Sequence, residues 1–176
     1  MNHKIVVAVV GFVLAIVAAV FDVIGFVAPY WTWIKKSVSI SGAVINLEHN
    51  EGLWRYCLTI VNVTSCGSQG DRDLGSWFTE VQVMETLGLL CLLAAVVVLF
   101  IGFFVCKDVL KWVGIGCLTG AETFILIGVR LYKEKGSSLR TDNTDFAFYF
   151  VIVAACFAFF ASACLGGYTY VKYRCS

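Results

Sequence analysis

Four long apolar blocks dominate this chain and leave few folds open to it. They run from Ile5 to Ala28, Val81 to Val105, Trp112 to Leu131 and Phe146 to Tyr170. Each is about 20–25 residues, and at a rise of about 1.5 Å per residue each covers the roughly 30 Å hydrocarbon core of a bilayer. Apolar residues make up 60% of the chain and charged ones 14%, with one proline in 176 residues. A water-soluble domain is about half apolar and a quarter charged. Buried helices of a soluble bundle would need polar faces, and Val6 to Phe21 has none. The first block follows Lys4, as a secretory signal would. It outruns the roughly 7–15 residues of a signal core and ends in Pro29-Tyr30-Trp31 rather than a small-residue cleavage site, so it reads as a retained span.

Four spans place both termini on one side. That side holds five basic residues, Lys4, Lys107, Lys111, Lys172 and Arg174, in short segments; the other eight of the 13 are spread over longer loops. The density predicts cytoplasmic termini. The Asn62-Val63-Thr64 sequon and a close pair of cysteines in the first long loop point the same way, since glycosylation and disulfides both belong to an oxidising exterior. Aromatic residues flank the spans, with Tyr30, Trp31, Trp77, Tyr132 and Tyr149 outside and Trp112, Tyr168 and Tyr170 inside, as an interfacial belt requires. The connection from 106 to 111 makes a tight inner hairpin, and neither it nor the short tail leaves room for a cytoplasmic domain.

The loop 29–80 is large enough for a small sheet but not for an independent core. Trp33 to Ile40, Ala43 to Leu47 and Leu53 to Thr64 are β-prone segments, separated by Gly42, by Asn50-Glu51-Gly52 and, further on, Gly67-Ser68-Gln69-Gly70. Cys57 and Cys66, outside the apolar runs, read as a disulfide locking the strand that carries Trp54. Closing a loop of about ten residues contributes roughly 2.5–3 kcal/mol in the chain-entropy account.

The pattern Pro29-x-Trp31, then Gly52-Leu53-Trp54, then Cys57 and Cys66, inside a four-span chain with a small second loop 132–145, resembles the claudin, peripheral myelin protein and epithelial membrane protein superfamily. The resemblance implies a membrane all-α four-helix bundle carrying a small extracellular antiparallel β-sheet. It further implies that Trp31, Leu53 and Trp54 anchor that sheet on the bundle, that Cys57 and Cys66 are bridged, and that a strand of the second loop joins the sheet. It also implies a plasma-membrane, junctional or adhesive role through self-association or pairing with related four-span proteins. An accessory subunit regulating a channel or receptor is the alternative. Three features depart from claudins. The chain stops at Arg174-Cys175-Ser176, without a PDZ-binding ending. Glu85 stands where claudins tend to carry an arginine. A glycan at Asn62 would crowd the loop edge. These lean towards the epithelial membrane protein side.

Ionisable residues within the spans are costly and call for partners. Asp22, Glu85 and Arg130 fall at similar depth towards the outer leaflet, which predicts that Arg130 is flanked by Asp22 or Glu85. Glu122 lies near the midplane and is read as glue between helices, hydrogen-bonded through Thr119, Thr123 or their counterparts. Gly116-x-x-x-Gly120, with Ala154, Ala158 and Ala161, suits close packing within the bundle. Cys91, Cys117, Cys156 and Cys164 read as small packing residues, and Cys106 and Cys175, at the inner membrane edge, as palmitoylation candidates.

No phosphate-binding loop, catalytic constellation, metal-ligand spacing or basic patch is visible. The chain is therefore expected to be neither an enzyme nor a nucleic-acid binder, and to need no cofactor. First-loop charges, Lys35, Lys36, Arg55 and Arg72 against Glu48, Glu51, Asp71, Asp73 and Glu80, nearly balance, so no clear ion selectivity is expected of a paracellular pore lined by them.

Overall fold

The computed structural model describes residues 3–40, 43–61, 63–72, 74–105, 108–136 and 144–174. Four helices carry the apolar blocks: α1 (His3–Val27), α2 (Ser76–Val105), α3 (Asp108–Gly136) and α4 (Phe146–Arg174). All four are long and apolar enough to cross a membrane, so the chain is built as a multi-pass membrane protein. Helix is the only open-ended element that satisfies its own backbone polar groups in lipid.

The helices outrun the apolar blocks. α2 begins five residues before Val81, and α3 extends from four residues before Trp112 to five after Leu131. Polar residues at a helix end, such as Thr79 and Glu80 or Lys133 and Lys135, keep their backbone bonds when the helix runs on, so the loss of apolar character marks the lipid boundary and not the helix end.

Between α1 and α2 lie four strands, β1 (Thr32–Ile40), β2 (Ala43–Glu51), β3 (Arg55–Ile60) and β4 (Val63–Ser68), paired antiparallel in chain order. The segment Leu53 to Thr64 is therefore not one strand. Its apolar and β-branched composition hides a turn, in which Val61 takes φ +47°; the sequon residue Asn62 lies outside the described residues. Cys57 faces Cys66 across the resulting hairpin, Cα to Cα 4.1 Å, and the two are bridged. Trp54 precedes β3 rather than lying on it. Of the second loop, the described part gives one antiparallel bridge, Thr144 to Thr32, and no longer strand among the described residues.

α1 packs chiefly against α4, and α2 against α3. The contact faces are rich in alanine, because lipid tails are as apolar as leucine and close approach rewards helix association. Ala15, Ala18, Ala158 and Ala161 meet in the bundle centre with Leu92, Ala95, Leu99, Leu118, Ala121 and Leu165. Buried Ala154 lies on the same α4 face, as its spacing predicts.

On α3 the expectation fails. Gly116 and Gly120 face open space, and the close approaches are made by Gly114, over Leu99, and Gly128, over Glu85. Two residues along a helix is a rotation of about 200°, so Gly114 and Gly116 lie on opposite faces. The free cysteines split likewise: Cys91, Cys117 and Cys164 are half-buried, while Cys156 is exposed.

Candidate functional site

The part of the molecule that demands explanation is the junction where the sheet sits on one end of the bundle. Trp31 follows the end of α1 and is wholly buried. Its indole N–H donates to the Gly25 carbonyl at 2.7 Å, one of the last four carbonyls of α1, which a helix end leaves without partners. Its ring meets Tyr132 edge-on at 4.9 Å and Phe148 at 5.7 Å. Tyr132 is buried with it. Two residues of the expected aromatic belt are thus an internal cluster, while Tyr149 and Trp112 are exposed as a belt requires.

Gly52 and Leu53 lock the sheet from the other side. Leu53 is wholly buried; its carbonyl accepts from Gln82 Nε2 of α2 at 2.8 Å, and the Gly52 carbonyl accepts from Gln69 Nε2 at 3.0 Å. A Cβ on Gly52 would collide with the backbone of Ala28 and Pro29, so the chain leaving α1 and the chain leaving β2 cross where only glycine fits. Gly52→Ala is therefore expected to cost about 1–3 kcal/mol, since backbone must move to admit the methyl. Gly70→Ala, whose Cβ would meet nothing closer than 3.6 Å, should leave the detergent melting curve near the wild type.

Trp54 departs from the role the resemblance implies. It packs on Phe26 at 5.2 Å but remains 38% exposed, a rim contact rather than a buried anchor. The turn that presents it puts Leu53 inward and its neighbour outward.

A polar network, not read from the sequence, braces the same junction. Glu51 is almost fully buried and its Oε1 accepts from His49 Nε2 at 2.7 Å and from Arg72 at 2.5 Å. Arg72 also lies over the Tyr56 ring at 4.9 Å. Position 51 reads as a turn residue by its neighbours Asn50 and Gly52. Burial comes from the segment after β4 folding back, for which no local signal exists.

Further from the helices the sheet is open. In β4, Val63 to Cys66 are exposed, and β4 forms the edge of the sheet. Ile60, Val61 and Val63 are exposed apolar side chains at the hairpin end, Val63 at 70%.

The ionisable residues of the spans are arranged differently from expectation. Arg130 is exposed and makes no ion pair with Asp22 or Glu85 among the described residues. On α3 it lies two residues from Gly128, the position turned towards Glu85, and so points away. Asp22 and Glu85 are both buried. Glu122 is half-buried, and the Thr119 and Thr123 hydroxyls donate to carbonyls of their own helix, Thr123 to Thr119 at 2.8 Å, rather than to Glu122. Cys106 and Cys175 lie outside the described residues.

No family model matches the chain, and no curated protein matches it.

Proposed function

We propose that this is a claudin-like plasma-membrane protein, with both termini cytoplasmic and the sheet outside, that acts in cell–cell contact. Its sheet would engage identical or related molecules beside it or on the facing cell. The observation that carries this reading is a disulfide-tied sheet held rigidly on a four-helix bundle by Trp31, Gly52 and Leu53, while its far hairpin and the β4 edge stay open. An open edge offers unpaired backbone groups to another chain, and Ile60, Val61 and Val63 offer apolar surface beside it. The bundle provides position and the sheet provides contact; no reaction chemistry is required of either.

A second reading, an accessory subunit of a channel or receptor, is supported by the outward-facing Gly116 and Gly120, which leave α3 a surface that a foreign helix can approach closely. One experiment separates the two. In junction-free cells expressing the tagged chain, accumulation should rise at borders between two expressing cells and not at borders with a non-expressing one. Val63→Lys on the hairpin should abolish that enrichment without lowering surface level. Even distribution at both kinds of border, with a channel co-purifying through α3, would replace the adhesive reading by the accessory one. Glycosidase sensitivity that is lost in Asn62→Gln would place the loop outside the cell.

A further inference from the structure

Where the segment after β4 turns into α2 there is a recess of about 340 Å³, lined among others by Gln69, Arg72, Leu74, Ser76, Phe78 and Thr79. Two kinds of polar group meet in it. The first is the start of α2. The N–H groups of Ser76 and Trp77 open the helix and have no acceptor among the described residues, that of Phe78 turns back to the Gly75 carbonyl at 3.2 Å, and no acidic residue stands in the first turn. Such a helix end is electropositive and presents donors to an anion. Arg72 lines the same recess; its Nη1 donates to Glu51, and the guanidinium has further N–H groups to offer. The second is Gln69, which is 3% exposed. Its Nε2 donates to the Gly52 carbonyl at 3.0 Å, which fixes the amide, and its Oε1 has no partner among the described residues. A buried acceptor left so is costly, and only a donor relieves it.

A matching occupant brings negative charge and a hydrogen-bond donor together. Phosphate does this in two forms. Hydrogen phosphate carries its own O–H, and a phospholipid headgroup such as phosphoethanolamine holds N–H donors a short chain away from its phosphate. The depth of the recess admits both. Ser76 lies about 7.5 Å along the helix before Val81, where the apolar block of α2 begins, and the headgroup layer is roughly 5–7 Å thick on each side of the hydrocarbon. We propose that this recess binds a phosphate group that carries its own donor, with the phosphate on the α2 N-terminus and Arg72 and the donor on Gln69 Oε1. Gln69 and Arg72 also hold Gly52 and Glu51, so an occupant joins α2 to the segment that seats the sheet.

The test uses the full chain in a neutral maltoside detergent and follows its melting temperature against ligand concentration, since a ligand of the folded state raises it. Two matched pairs of probes differ in the donor. One is inorganic phosphate against sulfate, at neutral pH and equal ionic strength. The other is short-chain phosphatidylethanolamine against phosphatidylcholine, whose quaternary ammonium has no N–H. In at least one pair the donor-bearing member should stabilise at about tenfold lower concentration than its counterpart. A preference in the lipid pair alone assigns the site to the leaflet and one in the inorganic pair alone to the free anion; either sustains the proposal. Ser76→Asp, at an exposed position where a carboxylate favours the helix start, should melt no lower than the wild type without ligand, yet need about tenfold more of the preferred probe. Thr79→Glu, also exposed and in the same first turn, repeats that test independently. Equal effects within both pairs would overturn the proposal and leave Gln69 Oε1 to water. So would a preference that both substitutions leave unchanged, because the probe then sits elsewhere.

Discussion

Trp31→Ala is expected to be the most damaging single substitution in this chain, costing about 3–5 kcal/mol, the range for removing a fully enclosed aromatic side chain. Three losses coincide. A cavity opens between the sheet and α4; the edge-on contacts with Tyr132 and Phe148 go, each worth about 0.5–1.5 kcal/mol beyond burial; and the Gly25 carbonyl loses its donor. Trp31→Phe separates these terms. It keeps most of the ring contact and forfeits the N–H, so it should cost about 1–3 kcal/mol, the penalty for a buried polar group left unmatched. Thermal unfolding in detergent, with surface level in cells as a second readout, checks both. A Trp31→Ala protein that melts with the wild type would mean that the sheet is not held by this residue at all, and would remove the physical basis of a rigidly presented sheet.

The consequence for function follows from the same geometry. An adhesive surface needs a fixed orientation, because each freedom left in the sheet is lost on contact and weakens binding. Trp31, Gly52 and Leu53 supply that fixity from three directions: a side chain inserted into the bundle, two backbone paths crossing at a glycine, and a carbonyl held by Gln82 of α2. Without them the hairpin would still be a hairpin, but on a tether.

How much of this is legible in the residues depends on whether the signal is local. The four helices are, because a run of apolar residues longer than the bilayer is thick has few alternatives. The Cys57–Cys66 bridge is, because short separation outside the spans brings the two together under any hairpin. The turn at Val61 is not: a β-branched residue disfavours the left-handed region, so Ile60-Val61 reads as strand until tertiary pairing forces the reversal. The Arg130 expectation fails for a related reason. Depth along a helix can be counted from sequence, but which neighbour a face meets depends on rotation about the axis, and the two residues separating Gly128 from Arg130 are enough to send one inward and the other out. The α1 face of Ala8, Ala15, Ala18 and Gly25 is in principle readable by its spacing of seven, three and seven. An all-apolar helix masks such a stripe, since hydrophobicity does not vary around it and only side-chain size does. The Glu51–Arg72 contact has no precursor in the sequence, because it joins residues 21 apart through the path of the chain after β4.

Cys57→Ser combined with Cys66→Ser is expected to disorder the outer half of the sheet and leave the helices intact. The bridge closes a loop of about ten residues, worth roughly 2.5–3 kcal/mol by restriction of the unfolded chain. What it restrains is a hairpin with an unfavourable turn: Val61 sits at φ +47°, a conformation costing an L-residue roughly 1–2 kcal/mol. Strands as short as β3 and β4, exposed along most of β4, have little burial to offset that cost. The helices, by contrast, meet through Ala15, Ala18, Ala158 and Ala161, far from the hairpin. Hydrogen exchange should therefore show β3 and β4 amides losing protection while α1–α4 keep theirs, and enrichment at cell borders should disappear at unchanged helical content. Adding Val61→Gly to the bridgeless protein should return part of the lost protection, about 1 kcal/mol, because glycine reaches the left-handed region without the Cβ clash. If protection is instead lost uniformly across sheet and helices, the bridge supports the whole fold, and the hairpin is not the separate, weakly stabilised unit described above.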